Sequence, residues 1–281
     1  MRRAEGVVRM SGGTVVVTGG TGVLGRVVVE RLVEQGRDVR VVSRRPATGG
    51  ERAYGWAVAD LQRGSGVAEA LDGADVVVHC ATAFGRGQEA ALARNLVAGA
   101  RAAGATASGG GPHLVYVSIV GIDRIPLGYY RAKAEAEQVF ATSGLPYTIQ
   151  RATQFHDLVR TLFAAAAKLP VVPVPSVRFQ PIDVRDVAVR LAELAAAEPV
   201  GGQAPDIGGP AARDARDLAR AYLAATGRAG RPLLPLRLPG RAFGALRAGA
   251  NLVPGEPYGR IGFEEYLAGL DAPKRLAYRK R

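Results

Sequence analysis

The chain has 281 residues, a length that suits one compact domain or one domain with a small additional lobe. Hydrophobic residues make up 48% and charged residues 22%, which excludes global disorder, and no apolar run is long enough to span a membrane. The net charge of +12 comes mainly from arginines spread along the chain rather than clustered with aromatic residues, so we expect no nucleic-acid partner.

Cysteine and histidine content argues against disulfide and metal sites. The single cysteine, Cys80, cannot form a disulfide within one chain, which fits a reducing cytoplasm. The three histidines lack the spacing of a zinc site, so we expect no metal. No signal-peptide pattern follows the N-terminus, and residues 1–12 are expected to form a flexible tail. We therefore expect a cytoplasmic protein, either a monomer or a homodimer.

The first 150 residues alternate between apolar and amphipathic segments. The apolar, β-branched segments predict buried parallel strands at 14–18, 38–43, 54–59, 75–80, 113–118 and 147–150. The amphipathic segments predict helices at 23–35, 67–71, 88–103 and 129–143, several of them followed by glycine. This alternation indicates an α/β fold of Rossmann type, a doubly wound parallel sheet with helices on both faces.

After residue 151 the pattern becomes less regular. Prolines at 170, 173 and 175 interrupt the chain, and helical spacing returns at 155–168, 186–197, 214–226 and 263–270. We predict a Rossmann core at 13–155 and a small C-terminal substrate lobe at 156–281, together forming one structural domain.

A glycine-rich loop joins the first predicted strand to the first predicted helix. It reads Gly19-Gly20-Thr21-Gly22-Val23-Leu24-Gly25. Glycine at 19, 22 and 25 permits a tight turn, close approach of the backbone to a pyrophosphate, and close packing of the helix on the strand. The helix N-terminus then offers free N–H groups and the positive end of its dipole. The loop therefore predicts a dinucleotide-binding site.

The end of the second predicted strand indicates which dinucleotide binds. An acidic residue there would favour NAD, but the chain has Ser43, Arg44 and Arg45. Two guanidinium groups suit a 2′-phosphate, so we expect NADP(H); the alternative is that they are simply solvated. Asp60 and Leu61 follow the third strand and are expected at the adenine, with an ordinary surface aspartate as the competing interpretation of Asp60.

These segments resemble the short-chain dehydrogenase/reductase superfamily, in particular its atypical NmrA-like branch. The resemblance covers about residues 13–200 and is carried by VVTGGTGVLG (16–25), VVSRRP (41–46), AD (59–60), VVVHCATA (76–83), YVSIVG (116–121), YYRAKAEAE (129–137), LPYTIQRATQF (145–155) and IDVRDVA (182–188). It implies a Rossmann fold, a nicotinamide cofactor, and a Tyr–Lys pair that acts on a carbonyl or alcohol. Ala81 and Thr82 are expected beside the nicotinamide ribose.

Tyr129 and Lys133 form a Y-x-x-x-K motif at the start of a predicted helix. A spacing of four residues places both side chains on one face. An ammonium group beside a phenol lowers the pKa of the tyrosine, which can then exchange a proton with a substrate oxygen. Lys133 is also expected to hold the nicotinamide ribose. The alternatives are an ordinary amphipathic helix, or Tyr130 as the proton donor.

The serine that usually assists this tyrosine departs from the family pattern. Ser118 precedes Tyr129 by eleven residues, close to the family interval, but Ile119 and Val120 stand where the catalytic hydroxyl is usual. We expect Ser118 to orient the substrate carbonyl, with a plain strand-end residue as the alternative. Asn95 lies in the preceding helix, where it is expected either to support a proton relay or to be an ordinary polar residue.

The segment after the sixth strand is expected to form the substrate pocket. Gln154, Phe155 and His156 follow that strand, beyond whose carboxyl end open α/β sheets bind ligands. His156 is either a second proton donor or part of the pocket wall. The stretch 170–181 is rich in valine and proline and predicts an apolar cleft wall, which favours a small hydrophobic substrate.

Three functions fit these residues. The first is an NADPH-dependent reductase of a hydrophobic carbonyl, quinone or enone, with Tyr129 as proton donor assisted by Lys133. The second is an isomerase, epimerase or dehydratase that retains its cofactor. The third is a non-catalytic NADP(H) sensor that binds a protein partner. The intact Tyr–Lys motif favours the first.

Overall fold

A computed structural model describes residues 13–85, 87–104 and 110–270 of the chain. The strands are β1 (Thr14–Thr18), β2 (Val39–Ser43), β3 (Gly55–Val58), β4 (Ala74–His79), β5 (His113–Ile119), β6 (Tyr147–Ala152), β7 (Val172–Pro175), β8 (Arg178–Phe179), β9 (Gly202–Gln203), β10 (Arg213–Asp214) and β11 (Leu233–Leu236). The helices are α1 (Val23–Glu34), α2 (Val67–Leu71), α3 (Gln88–Gly104), α4 (Gly128–Ala141), α5 (His156–Ala166), α6 (Val184–Ala196), α7 (Ala215–Ala225), α8 (Arg241–Arg247) and α9 (Phe263–Ala268).

Seven strands form one parallel sheet in the order β3-β2-β1-β4-β5-β6-β9. Successive valines of β1 are buried on opposite faces of this sheet. Val15 and Val17 belong to an apolar cluster with α1 and α6, whereas Val16 belongs to a second cluster with α2, α3 and α4. Burial on both faces explains why the strands are continuously apolar in sequence. The predicted Rossmann-type α/β fold is confirmed.

The strand order places the expected ligand crevice at a defined edge of the sheet. From β1 the sheet grows one way through β2 and β3, and the other way through β4, β5 and β6. Open α/β sheets bind ligands beyond the carboxyl ends of their strands at such a reversal. The glycine-rich loop follows β1 and the segment 80–85 follows β4, so both begin at this edge.

The part of the chain after residue 155 adds two small sheets, β7 with β11 and β8 with β10. Helices α5, α7 and α9 pack around them in a third apolar cluster that contains Val172 and Val174. Both valines are fully buried, so the prediction that 170–181 forms an apolar cleft wall is wrong for them: they are core. Val171, just before β7, is 44% exposed.

The predicted elements agree with the observed ones to within two residues at each end. Gly36 ends α1 as predicted: its φ is +71°, and its N–H donates to the carbonyl of Val33. Strands β7 to β11 and helix α8 were not predicted. The predicted tail, residues 1–12, lies outside the described residues. Within the described ranges, no helix is long and apolar enough to cross a membrane.

Candidate active site

The loop after β1 is packed so tightly that a side chain cannot be added at either end. Gly19 has a φ of +68°, a conformation that favours glycine. A Cβ on Gly19 would lie 2.6 Å from the backbone nitrogen of Ala81, and one on Gly25 would collide with the carbonyl oxygen of Gly19. The loop therefore lies directly against the segment that follows β4, and the first turn of α1 lies directly against the loop.

The N-terminus of α1 is suited to an anion. Its N-cap is Gly22 and its first turn contains no acidic residue; among the described residues, no side chain caps the helix. Thr21 and Gly22 are exposed, Val23 is half-buried, and Leu24 is buried beneath them. Backbone N–H groups at the start of the helix and the positive end of its dipole therefore fit a dinucleotide pyrophosphate. A Cβ added to Gly22 would lie 3.2 Å from the carbonyl oxygen of Gly19.

Two arginines follow β2 at the same edge of the sheet. The Ser43 hydroxyl accepts a hydrogen bond from the Arg45 backbone N–H, and the Trp56 indole donates to the Arg45 carbonyl. These bonds hold the backbone, while the side chains of Arg44 and Arg45 are exposed. Within the described part of the chain, neither guanidinium has an ion-pair partner, so both are free to bind a phosphate.

A hydrogen-bonded cluster links Tyr129 to a buried carboxylate that the sequence analysis did not identify. The Tyr129 phenol oxygen lies 2.9 Å from Thr82 Oγ1, which donates at 2.9 Å to Glu89 Oε2. The same oxygen of Glu89 accepts the backbone N–H of Ala83 at 2.7 Å. Its other oxygen, Oε1, accepts from the Tyr116 phenol at 3.0 Å. Glu89 is 1% exposed.

Lys133 completes this cluster from α4. Its ammonium lies 2.7 Å from Glu89 Oε1, donates at 3.0 Å to the Val117 carbonyl, and sits 4.6 Å from the centre of the Tyr116 ring. Burial works against the charged form, but the electrostatic influence of Tyr116, Tyr129 and Glu89, with the hydrogen bond to Glu89, raises the pKa of Lys133. For Glu89, burial alone would raise the pKa, but Lys133 and the Ala83 N–H lower it. Both groups are therefore ionised.

A family model described as NAD(P)H-binding matches residues 19–196, from the glycine-rich loop to the end of α6. The chain belongs to this NAD(P)H-binding family. The match confirms the predicted resemblance to nicotinamide-dependent short-chain dehydrogenases/reductases, and with it a nicotinamide dinucleotide as the cofactor. An uncharacterized protein of Mycobacterium tuberculosis is 30% identical over 164 residues, which are 57% of this chain but only 17% of that protein.

Solved structures share the fold of this NAD(P)H-binding protein. An NADPH-dependent quinone oxidoreductase from Escherichia coli, complexed with NADPH, is 20% identical with a TM-score of 0.73, over 90% of this chain and 98% of that one. A nucleoside-diphosphate-sugar epimerase from Staphylococcus aureus is 17% identical with a TM-score of 0.72, over 90% and 99% of the two chains. At these identities the likeness shows a common fold, which reductases and epimerases both use.

Two residues near the predicted adenine position of this NAD(P)H-binding protein stabilise a turn. The Asp60 carboxylate accepts the backbone N–H groups of Gln62 and Arg63, and the Asn95 amide donates to the carbonyls of Leu61 and Gln62. Asn95 therefore ties α3 to this turn and takes no part in the cluster around Tyr129. Leu61 is 7% exposed. Contact of Asp60 and Leu61 with adenine stays a prediction.

Ser118 lies at the end of β5, one residue after the carbonyl that binds Lys133. Its side chain is buried, and its hydroxyl oxygen has no hydrogen-bond partner among the described residues. Buried hydroxyls normally have a partner, so this oxygen is consistent with a ligand that completes its hydrogen bonds. The orienting role predicted for Ser118 stays a proposal.

The three predicted substrate residues differ in their surroundings. Gln154 is buried, and its amide exchanges hydrogen bonds with Asn251. Phe155 is half-buried at the N-cap of α5. His156 is 1% exposed, its Nε2 lies 3.0 Å from the Ile261 carbonyl, and burial lowers its pKa. A neutral, buried imidazole is poorly suited to donate protons, so the pocket-wall role of His156 is the better supported of its two alternatives.

The cysteine next to the loop is not a nucleophile candidate. Burial raises the pKa of Cys80 to about 12, so the thiol stays protonated. The neighbouring His79 is buried, which lowers its pKa to about 4, and its Nδ1 is 2.6 Å from the Thr18 hydroxyl. His79 therefore belongs to the packed interior of β4, and Cys80, which follows it, is half-buried against the core.

One exposed aromatic residue beside the cluster was also missed by the sequence analysis. Phe84 follows β4, is 70% exposed, and its ring centre lies 5.1 Å from that of Tyr129. Its isolated position in a loop gave no periodic signal.

Glu89 was missed for a different reason. An acidic residue in the first turn of a helix is common on solvent-exposed surfaces, and the burial of Glu89 depends on the packing of α3 against α4.

Proposed function

We propose that this protein is an NADPH-dependent reductase of a hydrophobic carbonyl, quinone or enone, with Tyr129 as the proton donor. The observation that supports this most directly is a short path of contacts. Gly19 of the phosphate loop lies against Ala81, and the next residue, Thr82, is hydrogen-bonded to the Tyr129 phenol. The phosphate loop and the proton donor therefore share one edge of the sheet, as a hydride-transfer site requires.

The residues around Tyr129 are arranged to supply a proton. When bound, the cofactor supplies a hydride to the carbonyl carbon. Tyr129 then gives its phenolic proton to the carbonyl oxygen, which becomes the hydroxyl of the product. The Lys133 charge attracts the phenolate that remains on Tyr129. The same interaction with Tyr129 is one cause of the raised pKa of Lys133. We assign the Ser118 hydroxyl, which is buried and unpaired among the described residues, to the orientation of the substrate oxygen.

The surface beside Tyr129 supports a hydrophobic substrate. Phe84 exposes 70% of its surface next to the Tyr129 ring, and Leu127, just before α4, exposes 38%. Exposed large apolar side chains next to a proton donor favour an aromatic or otherwise apolar ligand. The test is NADPH oxidation, followed at the nicotinamide absorbance, with matched aromatic and aliphatic ketones and with quinones. Turnover confined to polar sugar substrates would contradict this substrate class.

The exposed arginines after β2 predict a preference for NADPH over NADH. In the double variant Arg44→Ser/Arg45→Ser, the Kd for NADPH should rise about tenfold or more, because charge-assisted hydrogen bonds to the 2′-phosphate are lost. The Kd for NADH, which lacks that phosphate, should change little. Calorimetric titration measures both constants.

Arg216→Ser is the control for that variant, since Arg216 is an exposed arginine on α7. It removes a positive charge from the C-terminal lobe and should leave the Kd for NADPH and the Kd for NADH unchanged. Equal weakening of NADPH and NADH in the Arg44→Ser/Arg45→Ser variant would show that the two arginines do not select the 2′-phosphate.

A cofactor-retaining isomerase, epimerase or dehydratase is the second candidate, because the same fold occurs in a nucleoside-diphosphate-sugar epimerase. In such a reaction the substrate is oxidised and then reduced again at the same site. Product analysis by mass spectrometry and NMR separates the two candidates. Conversion of a substrate without net consumption of NADPH would favour this second candidate over the reductase.

A further inference from the structure

Glu89 reaches both halves of the reaction centre. Through Oε2 it binds Thr82, the hydrogen-bond partner of Tyr129, and through Oε1 it forms the ion pair with Lys133. A carboxylate with 1% exposure is costly to bury unless it is paired and hydrogen-bonded, and Glu89 has an ion pair and three hydrogen bonds among the described residues. Its four partners come from β5, α4 and the segment after β4, so its position is fixed by the packing of all three.

The direction of the hydrogen bonds follows from the chemistry of the groups. An ionised carboxylate has no proton to give, so the single hydroxyl proton of Thr82 is committed to Glu89. The Thr82 oxygen can then only accept from Tyr129, at 2.9 Å. Glu89 therefore fixes the direction of the hydrogen bond between Thr82 and Tyr129. Tyr129 is the donor and keeps its proton.

We propose that Glu89 is a positioning residue that keeps the proton on Tyr129 and neutralises Lys133, so that the site holds the neutral phenol that carbonyl reduction needs. This inference rests on the proposed reductase function. A reductase needs the neutral phenol as its proton donor, whereas alcohol oxidation needs the phenolate. An unneutralised ammonium beside the phenol would favour the phenolate, and Glu89 opposes that effect.

Glu89 and Lys133 are the charged groups that act on the protonation state of Tyr129. Among the described residues, the other titratable groups around the cluster are His79, Cys80, Tyr116 and Tyr130. Burial lowers the pKa of His79 and raises the pKa of the thiol and of both phenols, so all four are neutral at pH 7. Removing the Glu89 charge therefore leaves the positive charge of Lys133 without its counter-charge, and this charge then favours the Tyr129 phenolate.

The test is an NMR titration of the full-length protein labelled with ¹³C at tyrosine Cζ. The Tyr129 resonance is assigned by its absence in Tyr129→Phe. In Glu89→Gln the Tyr129 midpoint should fall by about one pH unit or more. Glu135→Gln removes the same charge from an exposed position on α4 and should shift the midpoint far less. An unchanged midpoint in a folded Glu89→Gln variant would overturn the proposal.

Glu89→Gln leaves the buried Lys133 ammonium unpaired, and this variant could therefore fail to fold. A second comparison keeps the test decisive in that case. Lys133→Met should raise the Tyr129 midpoint, and Glu89→Gln/Lys133→Met, which buries no charge, should bring it back down by about one pH unit. Equal midpoints in the single and double variants would overturn the proposal. These titrations need no substrate, whereas the reductase function is tested separately by turnover of NADPH.

Discussion

Tyr129→Phe is expected to lower kcat/KM for carbonyl reduction by about a hundredfold to ten-thousandfold, the usual contribution of a positioned general acid. The substitution removes one oxygen atom, the phenol that lies 2.9 Å from Thr82 Oγ1. Thr82 keeps its bond to Glu89, and the phosphate loop is untouched. The Kd for NADPH should therefore stay close to that of the unsubstituted protein. Steady-state kinetics and calorimetry measure the two quantities.

Tyr130→Phe is the matched control, because it removes the same atom from the adjacent residue. Gln154 partly offsets the rise that burial causes in the pKa of Tyr130, and removal of the Tyr130 phenol oxygen should reduce kcat/KM far less. If Tyr130→Phe were the damaging variant and Tyr129→Phe kept full activity, Tyr130 would be the proton donor and the role given to Tyr129 would be wrong.

Lys133→Met is expected to destabilise the protein by about 3–5 kcal/mol, the cost of leaving one partner of a buried ion pair without its counter-charge. Glu89 is 1% exposed and would lose its contact at 2.7 Å with the Lys133 ammonium. The methionine side chain fills nearly the same volume, so lost packing contributes little. Urea unfolding followed by circular dichroism gives the free energy of unfolding.

The double variant Glu89→Gln/Lys133→Met separates charge from packing in that measurement. It removes the uncompensated carboxylate, so it should be more stable than Lys133→Met alone, although it carries one more substitution. A double variant that is less stable than Lys133→Met would show that the buried charge is not the cause of the instability.

The central sheet was predictable because its strands obey local rules. The run Val15–Val17 is buried on both sides, and this leaves a continuous apolar pattern that sequence shows directly. Strands β7 and β11 read VPVP and LLPL, and proline argues against a strand within a sheet. They form because they pair with each other on the packed surface of the second lobe, a contact between distant segments that no local pattern contains.

The candidate site was predictable where chemistry requires a fixed spacing. Glycines at 19, 22 and 25 and the pair Tyr129 and Lys133 have such spacings, and the structure brings the loop and Tyr129 to one edge of the sheet. Glu89 has no spacing of that kind. It lies 44 residues before Lys133 in sequence, and their contact arises only when α3 packs beside α4.

Calorimetric titration of the full-length protein with NADPH and with NADH tests the central claim most directly. The account predicts saturable binding of NADPH, about tenfold or more tighter than that of NADH, because the N-terminus of α1 binds the pyrophosphate and Arg44 and Arg45 bind the 2′-phosphate. Absence of binding by both dinucleotides at millimolar concentration would contradict it.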